Sequence, residues 1–265
     1  MLSRVSATQP ADLVGELPGE FTERVNGLLE LVEERLGTAT KADTDFVTEA
    51  AQHTIRAGGK RFRPLLVVLA SLLGSSSPTD SVVRAALVME LTHVASLYHD
   101  DVMDEAELRR GVQSANLRWD NTVAILVGDF LFSRASSIVA GLGTDYVKLQ
   151  ADTFARLVQG QIAETRGPRD GADPLEHYLA VLADKTGSLI AASALFGGMV
   201  AGLGGAELAA LAAYGEEIGV VFQLSDDIID IASDSSGKTP GTDLRAGVPT
   251  LPTLLARRSS DPADA

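Results

Sequence analysis

The sequence predicts an all-α fold, a single bundle of roughly ten helices around a central cavity. Three observations carry that expectation. Apolar residues recur at helical spacing in one stretch after another, no segment alternates apolar and polar residues at period two, and glycine and proline pairs separate the stretches. At 265 residues the chain can bury a substantial core, and one domain over 1–265 is the expected organisation.

Residues 1–20 are polar and broken by Pro10 and Pro18, which predicts a loose lead-in. The first helix is expected from Phe21 to Leu36 and the second from Asp45 to Ala57, where Gly58 and Gly59 end it and permit a sharp turn. Lys60, Arg61 and Arg63 follow, and Pro64 suits the first turn of an apolar helix from Leu65 to Leu73. That loop sets three cations at a helix N-terminus, where unpaired N–H groups and the helix dipole favour an anion the size of a diphosphate.

Beyond a loop at Gly74–Pro78, Thr79 or Asp80 can cap the helix that carries His93, Asp100, Asp101 and Asp104. The apolar run Val123–Ala140 is interrupted by Gly128-Asp129, and Asp129 is expected as a buried, hydrogen-bonded structural residue. Asp145–Thr165 reads as a helix with Gln161 and Glu164 in its last turns. Pro174 opens the next, which leads through Tyr178 to Lys185 and Thr186. The uncharged segment Thr186–Ala206 is long enough to span a bilayer, yet its Gly, Ala and Ser make it only mildly hydrophobic. It is expected as a buried helix ended by Gly204-Gly205, with no transmembrane segment in the chain. Glu207–Ile231 carries Gln223, Asp226, Asp227 and Asp230. A polar loop with Gly237 and Lys238 follows, and a last helix starts after Pro252.

On a helix, Asp100 and Asp104 lie one turn apart with Asp101 beside them and His93 two turns back on nearly the same side. Like charges so close cost roughly a few tenths of a kcal/mol per pair and raise one another's pKa unless a cation sits among them. The ligands are oxygens and the chain has no cysteine, so the cation should be hard; Mg²⁺ held by one or two carboxylates plus phosphate oxygens fits. Asp226, Asp227 and Asp230 repeat the spacing. A solvated acidic helix end explains one such cluster but not two inside apolar helices, one of them followed by Arg109-Arg110. The ligand such clusters would hold, through bridging Mg²⁺, is a diphosphate. A lysine at position 185 either snorkels to water or, with Thr186, holds a phosphate.

The balance of 22 basic against 36 acidic residues, net −14, argues against a nucleic-acid surface. Without cysteine there is no disulfide framework or thiolate zinc site, and Met1–Ser6 lacks the apolar core of a signal peptide, so the expected location is cytoplasmic.

In order, Gly58–Pro64, His93, Asp100–Asp104 with Arg109-Arg110-Gly111, Lys185-Thr186, Phe222–Asp230 and Gly237-Lys238 resemble the trans-isoprenyl diphosphate synthases, the polyprenyl synthetases, over about residues 45–255. The resemblance implies an isoprenoid synthase fold and a prenyltransferase that joins isopentenyl diphosphate to an allylic diphosphate. It implies that Gly59, Lys60, Arg63, His93 and Arg110 hold the diphosphate of isopentenyl diphosphate. Asp100, Asp101, Asp104 and Asp226, assisted by Asp227 and Asp230, would hold three Mg²⁺. Arg109, Lys185, Thr186, Gln223 and Lys238 would contact the allylic diphosphate, with Asp100, Asp104, Asp226, Lys185 and Arg109 as the catalytic set. Mg²⁺ and cations would stabilise the departing diphosphate, and the isopentenyl double bond would attack the allylic carbocation in a dry cavity.

Short-chain relatives often carry a bulky aromatic five residues before the first aspartate; here Ala95 stands there, followed by Ser96. The resemblance therefore implies long-chain products, unless Tyr98, Phe130 or Phe132 closes the tunnel; a geranylgeranyl or farnesyl diphosphate synthase is the alternative. A class I terpene cyclase would not need the Gly58–Pro64 loop, and a non-catalytic partner subunit would not need intact aspartates. Val248 stands where many relatives have a second lysine, leaving Lys238 and Arg245 to close the phosphate loop. Relatives continue for a few more helices beyond this C-terminus, and they are usually homodimers.

Overall fold

The computed structural model describes residues 18–75, 77–232, 241, 244–245, 247 and 249–259. Eleven α-helices occur among them: α1 Gly19–Ala39, α2 Asp45–Arg56, α3 Phe62–Ser71, α4 Thr79–Met103, the single turn α5 Ala115–Arg118, α6 Asn121–Ala140, α7 Thr144–Arg166, α8 Pro174–Leu182, α9 Ser188–Val200, α10 Gly205–Ala232 and α11 Leu251–Arg258. The expected all-α class is what the chain adopts. Two features depart from the reading at period two and at the glycine pair. A hairpin of two-residue strands, β1 Leu108–Arg109 and β2 Val112–Gln113, follows α4. Helix α9 stops at Val200 in a turn with Gly202 at φ +68°, before Gly204-Gly205 is reached. The strands are too short for alternation to register in sequence.

The chain divides into two compact units, 1–150 with 193–211 and 151–192 with 212–265, whose boundaries fall inside α7, α9 and α10. In the first, α4 is apolar on every side and buried along most of its length, the mark of a central helix. It packs on α1, α3 and α6. Close approach rests on glycines: a Cβ at Gly197 would stand 2.3 Å from Val67 O, and one at Gly128 would stand 2.3 Å from His99 Nε2. The uncharged helix is thus a core element whose small residues admit its neighbours, with Leu189, Ile190, Ala192 and Phe196 buried.

Asp129 overturns its expectation: its side chain is 64% exposed and lies 3.4 Å from His99 Nε2. The glycine before it takes the buried position on α6, which turns Asp129 outward. Tyr98 is fully buried, and its hydroxyl donates to Ala50 O at 2.5 Å, tying α4 to α2.

In the second unit, Asp173 caps α8 by accepting Leu175 N–H at 2.9 Å, with Pro174 in the first turn. A five-residue π-helical turn, Ala183–Gly187, joins α8 to α9. Gly215 and Gly219 of α10 pack against Ala191 and Gly187, and α11 packs on α8, with Arg258 donating to Asp173 at 2.8 Å.

Candidate functional site

In the first unit the loop after α2 reverses through Gly58 at φ +98°, Gly59 at φ +147° and Arg61 at φ +46°. Glycine suits position 59 for its φ, and the missing Cβ leaves room for the Arg110 guanidinium, whose Cζ would stand 2.8 Å from one. Arg61 does not join an anion pocket as the three-cation reading expects. It turns inward, 7% exposed, donating to Glu33, to Glu90 at 2.9 Å and to Ile55 O at 3.0 Å. Its pairing with Glu90, 2% exposed, gives that buried carboxylate its near cation, with Arg110 at 3.9 Å.

Arg63, His93 and Arg110 remain as a half-buried cluster, and Lys60 is exposed. Burial pulls the Arg63 guanidinium down to about 10, opposed by Glu90 and reinforced by Arg110, and its Nε is buried without a hydrogen-bond partner among the described residues. Burial also lowers Arg110, helped by Arg61 and Arg109 and opposed by Glu90. Burial, then Arg63, Arg110, Arg109 and Arg61, hold His93 well below the usual histidine range. Both arginines stay charged at neutral pH while His93 is neutral, so the cluster is positive and has an unused donor.

Neutral His93 sets an expected result. His93→Gln should keep the affinity for inorganic pyrophosphate within about threefold, since one neutral donor replaces another, whereas His93→Ala should weaken it about tenfold. The unfolded chain binds more protons here than the folded one, so the contribution to stability is present above about pH 6.5 and is lost as pH falls toward the folded pKa. Denaturant midpoints followed downward from neutral pH should therefore fall less steeply in His93→Gln than in the wild type.

The three aspartates of α4 separate. Asp101 is fully buried; Arg109 donates to its Oδ1 through Nε and Nη2, both at 2.6 Å, and its Oδ2 is buried without a partner among the described residues. Burial raises its pKa, and Arg109 opposes that. Asp100 is half-buried and Asp104 is exposed. Helix α4 ends in a Schellman motif, Ala106 N–H to Asp101 O at 2.9 Å and Glu105 N–H to Val102 O at 3.4 Å, with Glu105 at φ +49° where glycine is usual. That turn delivers the hairpin, whose two-residue loop has Arg110 at φ +53° and Gly111 at φ +79°, a type I′ geometry. Arg109 is thereby sent to Asp101, and Arg110 to Gly58 O, Thr54 O and Glu90. Ala95 and Ser96 are buried on α4, 1% and 7% exposed.

In the second unit Asp226 is exposed, while Asp227 and Asp230 are buried. Asp227 is saturated by neutral donors: the Tyr178 hydroxyl, Gln223 Nε2 at 3.4 Å and Leu251 N–H at 3.4 Å. It serves to join α8, α10 and α11. Lys185 Nζ lies 2.5 Å from Glu164, and Thr186 donates to Gln223 Oε1 at 3.5 Å. Lys238, with Gly237 and Val248, lies outside the described residues.

Motif spacing assigned no role to Glu164, Glu90 and Tyr178, which hold Lys185, Arg61 and Asp227, or to Gln161, whose Oε1 is buried without a partner among the described residues. Gln161 and Glu164 stand three apart on α7, and that shared face is the signal that could have found them. Among the described residues no three His, Asp or Glu side chains converge as a cage. The all-oxygen pair Asp100 and Asp104 suits a hard cation that keeps waters and takes phosphate oxygens.

The sequence pattern of the polyprenyl synthetases matches residues 44–265. The chain belongs to that family. This polyprenyl synthetase is 48% identical over 244 residues to the nonaprenyl diphosphate synthase of Mycobacterium tuberculosis, covering 91% of this chain and 73% of that one. Its fold is similar to that of geranylgeranyl pyrophosphate synthase from Corynebacterium glutamicum, solved with calcium and isoprenyl diphosphate (TM-score 0.82, 49% identity, 92% of this chain and 75% of that one). It is also similar to a decaprenyl diphosphate synthase from Rhodobacter capsulatus (TM-score 0.83, 32% identity, 92% and 76%).

Proposed function

We propose that this chain is a trans-prenyltransferase that condenses isopentenyl diphosphate with an allylic diphosphate, farnesyl or geranylgeranyl, and releases diphosphate as it builds a long all-trans polyprenyl diphosphate. The observation that carries the reading is the cluster of Arg63, His93 and Arg110, where two half-buried guanidiniums share one buried carboxylate, Glu90, that is already paired with Arg61, and the Arg63 Nε has no hydrogen-bond partner among the described residues. A diphosphate supplies the missing negative charge and fills the open Arg63 Nε.

Asp100 and Asp104 on α4, and Asp226 on α10, would hold Mg²⁺ from their own units, with Asp230 beside Asp226. Bound there, the cation would supply Lewis-acid stabilisation of charge on the departing diphosphate. Asp101 orients Arg109, and Asp227 orients Gln223 and Tyr178, so both act through other side chains. The calcium in the C. glutamicum structure supports divalent metal use. Absence of cysteine supports a cytoplasmic setting. The exposed apolar Ile125 and Leu126 of α6 support a homodimer that covers that face.

Incubation with Mg²⁺, isopentenyl diphosphate and labelled farnesyl diphosphate tests the reading. A ladder of elongated diphosphates supports it. A cyclic hydrocarbon, or no turnover, overturns it. The 49% identity to a geranylgeranyl pyrophosphate synthase favours a shorter product as the second reading, and the ladder length decides between them. Long products are supported by the small, buried Ala95 and Ser96 and by Tyr98, whose hydroxyl is held on α2. Ala95→Phe is expected to shorten the ladder while the first condensation slows by less than about fivefold; an unchanged ladder would place the tunnel elsewhere.

A further inference from the structure

The helical run from Pro174 to Val200 carries one rare element, the π turn Ala183–Gly187 that contains Lys185 and Thr186. Such a turn inserts a residue into an α-helix and breaks its hydrogen-bond register, so it persists where its surroundings compensate. Here several features do so, all within the unit 151–192 with 212–265. Ser188 donates its backbone N–H to Ala183 O, five residues back, and its hydroxyl to Asp184 O at 2.6 Å, filling the carbonyl that the register change opens. Gly160 of α7 admits the turn closely, since a Cβ there would stand 2.7 Å from Lys185 N and 3.0 Å from Asp184 Cβ. Gly219 of α10 does the same from another side, since its Cβ would stand 2.5 Å from Gly187 Cα.

Arg156 binds these parts together. Four residues before Gly160 on α7, it donates Nε and Nη2 to Asp184 Oδ1 at 3.1 and 2.9 Å. It also donates Nη1 and Nη2 to the two carboxylate oxygens of Glu216 on α10 at 2.5 and 3.2 Å. Asp184 immediately precedes Lys185 and Thr186, which reach Glu164 and Gln223.

We propose that Arg156 is a positioning residue for the allylic substrate: through Asp184 and Glu216 it holds the π turn so that Lys185 and Thr186 are set to receive a diphosphate. The proposal rests on the prenyl-transfer reading above. The side chains of Arg156, Asp184 and Glu216 are 42%, 41% and 33% exposed, so the ion pairs alone add little to stability. A purely structural role therefore leaves kinetics nearly untouched, whereas a small displacement of Lys185 and Thr186 is costly to catalysis.

The test is steady-state kinetics of the full chain with Mg²⁺, farnesyl diphosphate and isopentenyl diphosphate, with unfolding midpoints alongside. Arg156→Gln is expected to lower kcat/KM for farnesyl diphosphate by about tenfold or more while the KM for isopentenyl diphosphate stays within about twofold. Asp184→Asn breaks the clamp from its other end and should show the same selective loss, and the double variant should lose little beyond either single one. Arg156→Lys should resemble Arg156→Gln, because a single ammonium cannot span both carboxylates as the planar guanidinium does. Unchanged kinetics for farnesyl diphosphate, equal losses for both substrates, or additive losses in the double variant would overturn the clamp. An inactive wild type would overturn the functional reading and the clamp with it; an active one whose variants lose nothing selectively would overturn the clamp alone.

Discussion

Asp104→Asn is expected to lower kcat/KM by about a thousandfold or more without lowering stability. Asp104 is the C-cap of α4, and its backbone N–H donates to Asp100 O at 2.8 Å. That bond survives the substitution. The carboxylate itself is exposed, makes no hydrogen bond or ion pair among the described residues, and lies close enough to Asp101 to raise its pKa. It also stands at the negative end of the helix dipole, with Glu105 next in the chain. A charge that the fold disfavours at three levels is what the proposed metal role requires. The companion measurement is the unfolding midpoint with and without Mg²⁺ and pyrophosphate: ligand should raise it in the wild type and much less in Asp104→Asn. A variant that retained wild-type turnover would remove Asp104 from the metal site.

Arg61→Ala is expected to destabilise the protein by about 3–5 kcal/mol, enough to threaten folding. The substitution strands Glu90, 2% exposed, whose other cation, Arg110, lies 3.9 Å away, and strips a donor from Ile55 O. Burial opposes the guanidinium charge, yet the hydrogen bond and attraction of Glu33 and the pull of Glu90 hold its pKa above the usual value. The same logic predicts that Arg61→Met together with Glu90→Gln regains much of the loss, because no buried charge is then left unpaired. Urea midpoints of the three chains decide this, and an Arg61→Ala midpoint near wild type would show the pair to be dispensable.

Spacing made the aspartate motifs, the Gly58–Pro64 reversal and the all-helical class legible, because each depends on residues within a few turns of one another. What escaped depends on partners far along the chain. Arg61 reads as a third pocket cation until Glu33 and Glu90, 28 and 29 residues away, claim it. Asp101 and Asp104 are alike in sequence, and only the hairpin that brings Arg109 back to Asp101 separates them. Asp227 repeats the aspartate spacing, and its hydrogen bond from Tyr178, 49 residues earlier, is a partner that spacing does not show. The π turn has no signature of its own, since it is enforced by Gly160 and Gly219 on other helices.

The two-residue loop at Arg110 and Gly111 reverses the backbone between neighbouring arginines, so consecutive guanidinium groups answer to different carboxylates, Asp101 and Glu90. A single peptide unit thus serves as the pivot of both grips. Lengthening or reshaping this segment would therefore disturb both grips together.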